Sequence, residues 1–143
     1  SMSKMRHTGI VVTDMERSID FYNKYLDFKV KKDMDESGDY IDQFLALKDV
    51  KVRTVKMASE DDSLIELLYF YSHPEENAEK KINQIGCSHI ALTIVGIDEL
   101  YSLMSDEGVD FNGKPRTSPD GAARVAFCKD PDGTFIELVE ELN

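Results

Sequence analysis

The sequence predicts an α+β fold built from two tandem modules, each with the order strand, helix and three strands. The first observation is an internal repeat: residues 7–15 read HTGIVVTDM and residues 89–97 read HIALTIVGI, so each copy opens with a histidine before an apolar run. The second is the shared ending, Ile65-Glu66-Leu67 in one copy and Ile136-Glu137-Leu138 in the other. Because both signals recur in the same order, we expect a single duplicated domain over residues 1–143.

The boundaries of the modules follow from these repeats. Module 1 is expected over residues 5–72, a linker over residues 73–86 and module 2 over residues 87–143. The linker is rich in Glu, Lys and Asn, which is typical of an exposed helix or loop. After each first strand the apolar residues take helical spacing, and Asp14 and Asp98 stand near the expected helix starts, where a carboxylate can accept backbone N–H bonds.

Two polar turns predict the hairpin before the last strand of each module. They are residues 59–62, which read SEDD, and residues 130–133, which read DPDG. Between its histidine and its glutamate, module 1 is 11 residues longer than module 2. We expect the additional residues within 31–49, as a polar loop around Gly38.

Composition and charge exclude several classes of partner. The chain has 28 acidic and 17 basic residues, and its net charge of −11 repels phosphate backbones and anionic lipids. We therefore expect no nucleic-acid and no membrane partner. The sequence has no apolar stretch of membrane-spanning length and no secretory signal pattern. The two cysteines, Cys87 and Cys128, then predict buried thiols in a reducing cytoplasm.

Side-chain alternation along the strands predicts an open sheet face that carries the chemistry. In the first strand, Ile10 and Val12 would face the helix, which leaves His7 on the opposite face. Burying the charge of a glutamate inside an apolar strand costs free energy unless the carboxylate is paired or binds a metal. The last strand of each module contains such a glutamate. The residues expected on the open face, as ligands or as the lining of a substrate cleft, are His7, Val11, Glu66, Leu68, His89, Thr93, Phe135 and Glu137.

These motifs resemble the vicinal oxygen chelate superfamily, which includes glyoxalase I, methylmalonyl-CoA epimerase, extradiol dioxygenases and the fosfomycin and bleomycin resistance proteins. The resemblance is carried by residues 7–22, 88–92 and 130–140, and it extends over residues 5–141. It implies the glyoxalase/bleomycin resistance/dioxygenase fold, in which curved sheets surround a metal-binding cleft.

The resemblance also implies one divalent metal ion with four ligands: His7, Glu66, His89 and Glu137. Two imidazoles and two carboxylates leave one or two octahedral positions for water or substrate, and this donor set suits Ni²⁺, Co²⁺, Zn²⁺, Mn²⁺ or Fe²⁺. The ion would polarise a bound carbonyl while a carboxylate, Glu137 with Glu66 as its partner, moves the neighbouring proton. The expected activity is that of a metal-dependent lyase or isomerase of the glyoxalase I type.

The resemblance leaves the substrate and the assembly open. A small-molecule hemithioacetal or thioester is expected, and Arg53 and Arg124, on comparable strands, are candidates for binding its negative charge. Glu66 favours glyoxalase I over the epimerases, which typically carry Gln there, and over the extradiol dioxygenases, which use two His and one Glu around Fe²⁺. A metal-free antibiotic-binding protein is a further alternative, although all four ligand positions are filled. We expect a homodimer, with the cleft formed either within one chain or across two.

Overall fold

A computed structural model describes residues 2–143 and shows an α+β fold with two four-stranded mixed sheets. The chain divides into two compact units, of which the first extends to Glu76 and the second runs from Asn77 to Asn143. Each unit contains a strand, a helix and three further strands in that order, which confirms the predicted fold class.

The first unit contains four strands and two helices. In chain order they are β1 (Thr8–Val11), α1 (Met15–Leu26), β2 (Lys29–Ser37), α2 (Asp39–Leu45), β3 (Lys51–Ala58) and β4 (Leu64–Phe70). The strand order in the sheet is β1-β4-β3-β2, with β1 parallel to β4 and the other pairs antiparallel.

The second unit repeats this topology. Its elements are β5 (His89–Thr93), α3 (Ile97–Asp106), β6 (Arg116–Thr117), β7 (Ala123–Lys129) and β8 (Phe135–Glu141). The strand order is β5-β8-β7-β6, and β5 is again parallel to β8.

Each sheet buries one of its two faces. In β1, Ile10 is 5% exposed, and Val12 directly after the strand is 3% exposed. Gly9 and Val11, which alternate with them, are exposed, as the alternation predicts. Leu67 in β4 is fully buried, and α1 contributes the fully buried Tyr22. Burial of such a side chain stabilises the fold by about 1.5–3 kcal/mol. The same alternation leaves the glutamate of each closing strand on the other face.

The two helix starts are stabilised by different carboxylates. Asp14 caps α1 as predicted, by accepting a backbone N–H of the first turn at 3.1 Å. Asp98 lies in the first turn of α3, near the helix start as predicted, but its carboxylate does not cap the helix. Glu140 of β8 instead accepts the N–H groups of Gly96 and Ile97 at 3.1 and 2.9 Å. These two bonds hold the pKa of Glu140 below its usual value. A carboxylate on a strand distant in sequence therefore caps α3, the role that the local sequence suggested for Asp98.

The expectation of a polar loop over residues 31–49 was also wrong. The strand β2 pairs with β3 along eight positions, and α2 follows it directly. Since β2 is an edge strand with mostly exposed side chains, it has no apolar alternation by which the sequence could reveal it. In the second unit the corresponding edge strand, β6, has two residues.

The two predicted hairpins are present. In the first, the Ser59 N–H donates to the Ser63 carbonyl at 2.9 Å; in the second, the Asp130 N–H donates to the Thr134 carbonyl at 2.8 Å. Residues 73–86 contain no helix or strand. No helix within residues 2–143 is long and apolar enough to cross a membrane.

The two cysteines differ in their surroundings. Cys128 is fully buried in β7, as predicted, and burial raises the pKa of its thiol to about 12. The prediction that Cys87 is buried was wrong, because this residue lies in the loop before β5 and is exposed. Both thiols are free.

Candidate metal centre

The first unit holds a histidine–glutamate pair on the open face of its sheet. Nε2 of His7 lies 3.4 Å from Oε1 of Glu66, and both side chains are partly exposed. In the parallel pairing of β1 with β4, Gly9 lies directly beside Glu66, and the histidine reaches the carboxylate from two residues earlier. The position beside the carboxylate therefore carries no side chain.

The second unit repeats this pair at the same register. Nε2 of His89 lies 3.1 Å from Oε1 of Glu137, and Ala91 is the residue directly beside the glutamate. The histidine is again two residues before the small residue. The duplicated sequence therefore produces a duplicated geometry: an imidazole nitrogen facing a carboxylate oxygen, next to a position with little or no side chain.

The two histidines differ in the contacts of their other ring nitrogen. Nδ1 of His89 lies 2.9 Å from the hydroxyl of Ser88, and its ring contacts the ring of Phe127 edge-on at a centroid distance of 5.0 Å. Nδ1 of His7 is buried and has no hydrogen-bond partner among residues 2–143. The histidine of the second pair is thus the more firmly held of the two.

The structure brings each predicted histidine to its predicted glutamate. Among residues 2–143 it contains no cluster of three or more His, Cys, Asp or Glu side chains placed to share one ion. The described residues therefore form two pairs, each supplying one imidazole and one carboxylate.

The predicted lining residues lie on the same faces as the pairs. Val11 lies beside Leu68 in the first sheet, and Thr93 lies beside Val139 in the second. Val11 and Thr93 are exposed and Leu68 is half-buried, whereas Phe135 is only 6% exposed. Val11, Leu68 and Thr93 are thus accessible, while Phe135 contributes mainly to packing.

The two predicted substrate anchors have a different location. Arg53 is opposite Tyr69 and Arg124 is opposite Glu140, positions that alternate with those of Glu66 and Glu137, so both arginines lie on the helix side of their sheets. They do not share the open face with the glutamate of their own module. The geometry therefore gives no support to their role in binding substrate.

Both guanidinium groups are instead bound by carboxylates of their own unit. Arg53 donates to Asp33 from Nε and Nη2, at 3.0 and 2.7 Å, and to Glu16 from Nη1 at 2.8 Å. Arg124 donates to Asp98 from Nε and Nη2. These bonds raise the pKa of each arginine and lower the pKa of Asp33 and Asp98.

This repeated ion pair is a feature that sequence reasoning missed. Arg53 is three residues before Lys56, the residue paired with Glu66. Arg124 is three residues before Phe127, the residue paired with Glu137, so the two arginines occupy equivalent positions. The available signal was an acidic residue at the second position of each helix, Glu16 in α1 and Asp98 in α3.

Comparison with known proteins agrees with the fold. The sequence profile of the Glyoxalase/Bleomycin resistance protein/Dioxygenase superfamily matches residues 4–138. The chain therefore belongs to this superfamily, as its motifs indicate.

Individual relatives refine the comparison. A lactoylglutathione lyase of Escherichia coli O157:H7 is 30% identical over 138 residues, which cover 96% of this chain and 93% of the relative. The trypanothione-dependent glyoxalase I of Leishmania major superposes with a TM-score of 0.70 at 28% identity, covering 98% of this chain and 88% of that one. A glyoxalase family protein from Bacillus cereus has a TM-score of 0.91 at 22% identity, covers 100% and 97% of the two chains, and shows a common fold.

Proposed function

We propose that the protein is a divalent-metal-dependent lyase or isomerase of the glyoxalase I type, acting on the glutathione hemithioacetal of a 2-oxoaldehyde. The observation that carries the proposal is the duplicated pair, His7 with Glu66 and His89 with Glu137, at equivalent positions of two sheets. The likeness to a lactoylglutathione lyase over nearly the whole chain supports the same activity.

The residues of the two pairs fit a divalent metal ion. An imidazole nitrogen and a carboxylate oxygen 3.1 or 3.4 Å apart are both electron-pair donors, and both are ligands that divalent transition metals accept. Four residues would hold the ion, Ni²⁺, Co²⁺, Zn²⁺, Mn²⁺ or Fe²⁺: His7, Glu66, His89 and Glu137. When bound, such an ion polarises the substrate carbonyl and lowers the pKa of the neighbouring C–H group.

The carboxylates of the chain move the proton. Glu137 removes it from the carbon that bears sulfur and hydroxyl and, after exchange of the carboxyl proton with solvent, delivers a proton to the former carbonyl carbon. The hydroxyl proton passes to the former carbonyl oxygen, so that the hemithioacetal becomes a 2-hydroxy thioester. No atom is gained or lost, so the net reaction is an isomerisation. Glu66 is the second carboxylate of the site, and the accessible apolar side chains of Val11 and Leu68 would line the substrate next to it.

The remaining expectations are also part of the proposal. The modules extend over residues 5–72 and 87–143, joined by the linker 73–86, and the protein is a cytoplasmic homodimer. Its partner is a small molecule rather than a nucleic acid or a membrane, which agrees with a net charge of −11.

Three substrate classes test the proposal against its alternatives. Protein purified without chelator is analysed for metal, loaded with each divalent ion in turn, and assayed with glutathione hemithioacetals, acyl-CoA thioesters and catechols. We expect turnover of the hemithioacetal and its loss in Glu137→Gln. The matched control is Glu141→Gln, the same substitution at an exposed position of the same strand. Epimerisation of a thioester alone, or consumption of O₂ with a catechol, would contradict the proposal.

A further inference from the structure

An exposed Asn-Gly dipeptide lies between α3 and β6. It consists of Asn112 and Gly113 and is the single Asn-Gly dipeptide of the sequence. The backbone N–H of Asn112 donates to the carbonyl of Phe127 at 2.9 Å, whereas its side-chain amide makes no hydrogen bond among residues 2–143. The side-chain carbonyl carbon of Asn112 is therefore accessible, although the backbone nitrogen of the same residue is held.

The backbone nitrogen that follows Asn112 is accessible as well. The N–H of Gly113 has no hydrogen-bond partner among the described residues, and a Cβ added to this glycine would meet no atom within 4 Å. Glycine also has no side chain that would hinder the approach of its nitrogen to the preceding side chain. A nucleophilic nitrogen and an electrophilic carbon thus belong to adjacent residues, and no hydrogen bond of the fold holds either of them away from the other.

We propose that Asn112 is a site of spontaneous deamidation. The nitrogen of Gly113 attacks the side-chain carbonyl carbon of Asn112, and the new C–N bond closes a five-membered succinimide. The side-chain nitrogen leaves as ammonia, which takes up the proton of the Gly113 N–H. Water then opens the ring at either carbonyl and gives aspartate or isoaspartate, so each product adds one negative charge to a chain of net charge −11.

Two Asp-Gly dipeptides, which can close the same ring, provide internal comparisons. In Asp120-Gly121 the glycine N–H donates to a carbonyl of its own turn at 2.9 Å, and in Asp132-Gly133 it does so at 3.0 Å. The side chain of Asp132 is also only 6% exposed. The fold therefore binds the attacking nitrogen at both of these dipeptides and leaves it unbound at Gly113.

The other asparagines with a following residue lack the same combination. Asn23, Asn77 and Asn83 are each followed by a residue with a side chain. The amides of Asn23 and Asn77 donate to backbone carbonyls at 2.9 and 3.1 Å, and the N–H of Gln84 after Asn83 is bound at 3.1 Å. We therefore expect modification at Asn112 before any other asparagine.

The modified residue lies one hydrogen bond from the strand that faces the second pair. Phe127, whose carbonyl accepts the N–H of Asn112, lies opposite Glu137 and contacts the ring of His89 edge-on. Isoaspartate lengthens the backbone between Asn112 and Gly113 by one carbon atom, so it disturbs the segment that pairs with β7. The chemistry needs only water and is independent of the proposed function.

Peptide mapping by mass spectrometry tests the proposal on the full-length, metal-free protein. The protein is incubated at physiological temperature and mildly alkaline pH, where loss of the amide proton speeds ring closure. We expect aspartate and isoaspartate at Asn112, at a rate within a few-fold of that in the urea-unfolded chain. Gly113→Ala should slow the reaction several-fold without disturbing the fold, because the added methyl group meets no other atom. Asn83→Gln, at another exposed asparagine, is the matched control and should leave the rate at Asn112 unchanged.

Three results would overturn the proposal. The first is an intact Asn112 in native protein under conditions that deamidate it in the unfolded chain. The second is an unchanged rate in Gly113→Ala, and the third is faster modification at another asparagine or at either Asp-Gly dipeptide. Urea unfolding of the aged protein provides a separate readout, in which the isoaspartate form should be less stable than fresh protein and Gly113→Ala should retain its stability on ageing.

Discussion

Lys56 lies directly opposite Glu66 in the antiparallel pairing of β3 with β4. Phe127 holds the equivalent position opposite Glu137. Directly opposed residues share one face of a sheet, so Glu66 has a cationic neighbour and Glu137 has an aromatic one. The residue directly opposite Glu137 therefore carries no positive charge that would oppose the binding of a proton by this carboxylate. This asymmetry supports Glu137 as the principal base.

Substitution of the two glutamates by glutamine tests this assignment. Glutamine is nearly isosteric and its oxygen can still ligate, but it cannot act as the base. We expect Glu137→Gln to lower kcat by about 10²- to 10⁴-fold, the usual contribution of a positioned base, and Glu66→Gln to lower it less. Steady-state kinetics at equal metal content makes the comparison. A larger loss in Glu66→Gln would reverse the two roles.

Removal of either histidine tests the metal ligands. Each of His7→Ala and His89→Ala deletes one of the four proposed donors, so we expect a sharp loss of affinity for divalent ions. Equilibrium dialysis followed by metal analysis measures it, with His73→Ala in the linker as the control that should bind like wild type. Stoichiometric metal retained by both site variants would show that the site is elsewhere.

The assembly is tested by mixing two inactive variants. The side chains of Asn77 and Lys80 donate to the Asp132 carbonyl within the second unit, which leaves a short connection of residues 73–76, spanning at most about 14 Å when extended. Short connections favour the exchange of modules between chains, so the mixing test asks whether each site of the expected homodimer forms within one chain or combines module 1 of one chain with module 2 of the other.

One variant in this test lacks His7 and Glu66, and the other lacks His89 and Glu137. Random exchange of subunits should restore up to about a quarter of wild-type activity, because half of the dimers are mixed and each has one complete site. Wild-type protein should sediment as a dimer. A fully active monomer, or no recovery in mixed dimers, would contradict sites shared between chains.

Acid titration tests the ion pair of Arg53 with Asp33. The hydrogen bonds from Arg53 lower the folded-state pKa of Asp33 below its ordinary value of 3.8. The pair therefore contributes stability that is complete above pH 3.8 and is lost as the pH falls through the folded-state value.

The variant that tests this pair is Arg53→Gln. It should be less stable than wild type at neutral pH, and the difference should diminish below pH 3.8 and in high salt. Urea unfolding across the acid range measures it, with Arg116→Gln on exposed β6 as the control. If the difference in unfolding free energy between wild type and Arg53→Gln did not change with pH, Arg53 would stabilise the fold through packing rather than through its ion pair.

The features that the sequence predicted are those with a strong local signal. The alternation around Ile10 and Val12 and the repeated Ile-Glu-Leu motif were sufficient for the two sheets, and the structure then places His7 beside Glu66 and His89 beside Glu137. Each of these patterns requires one buried sheet face, because only burial makes alternation visible in a sequence.

The features that the sequence did not predict depend on long-range contacts or on polar strands. The capping carboxylate of α3 comes from Glu140, more than 40 residues from the N–H groups that it binds. Arg53 is bound by Asp33 and Glu16, which lie 20 and 37 residues away. The edge strand β2 is polar and mostly exposed, so only its backbone pairing with β3 identifies it.

Solvent exchange shows whether the metal-loaded protein moves a proton next to a carbonyl. The glutathione hemithioacetal is converted in D₂O and the thioester product is examined by ¹H NMR. We expect deuterium on the carbon next to the thioester carbonyl, with turnover that depends on the divalent ion and is lost in Glu137→Gln. Absence of deuterium incorporation with every hemithioacetal and thioester, together with O₂ consumption from a catechol, would contradict this expectation.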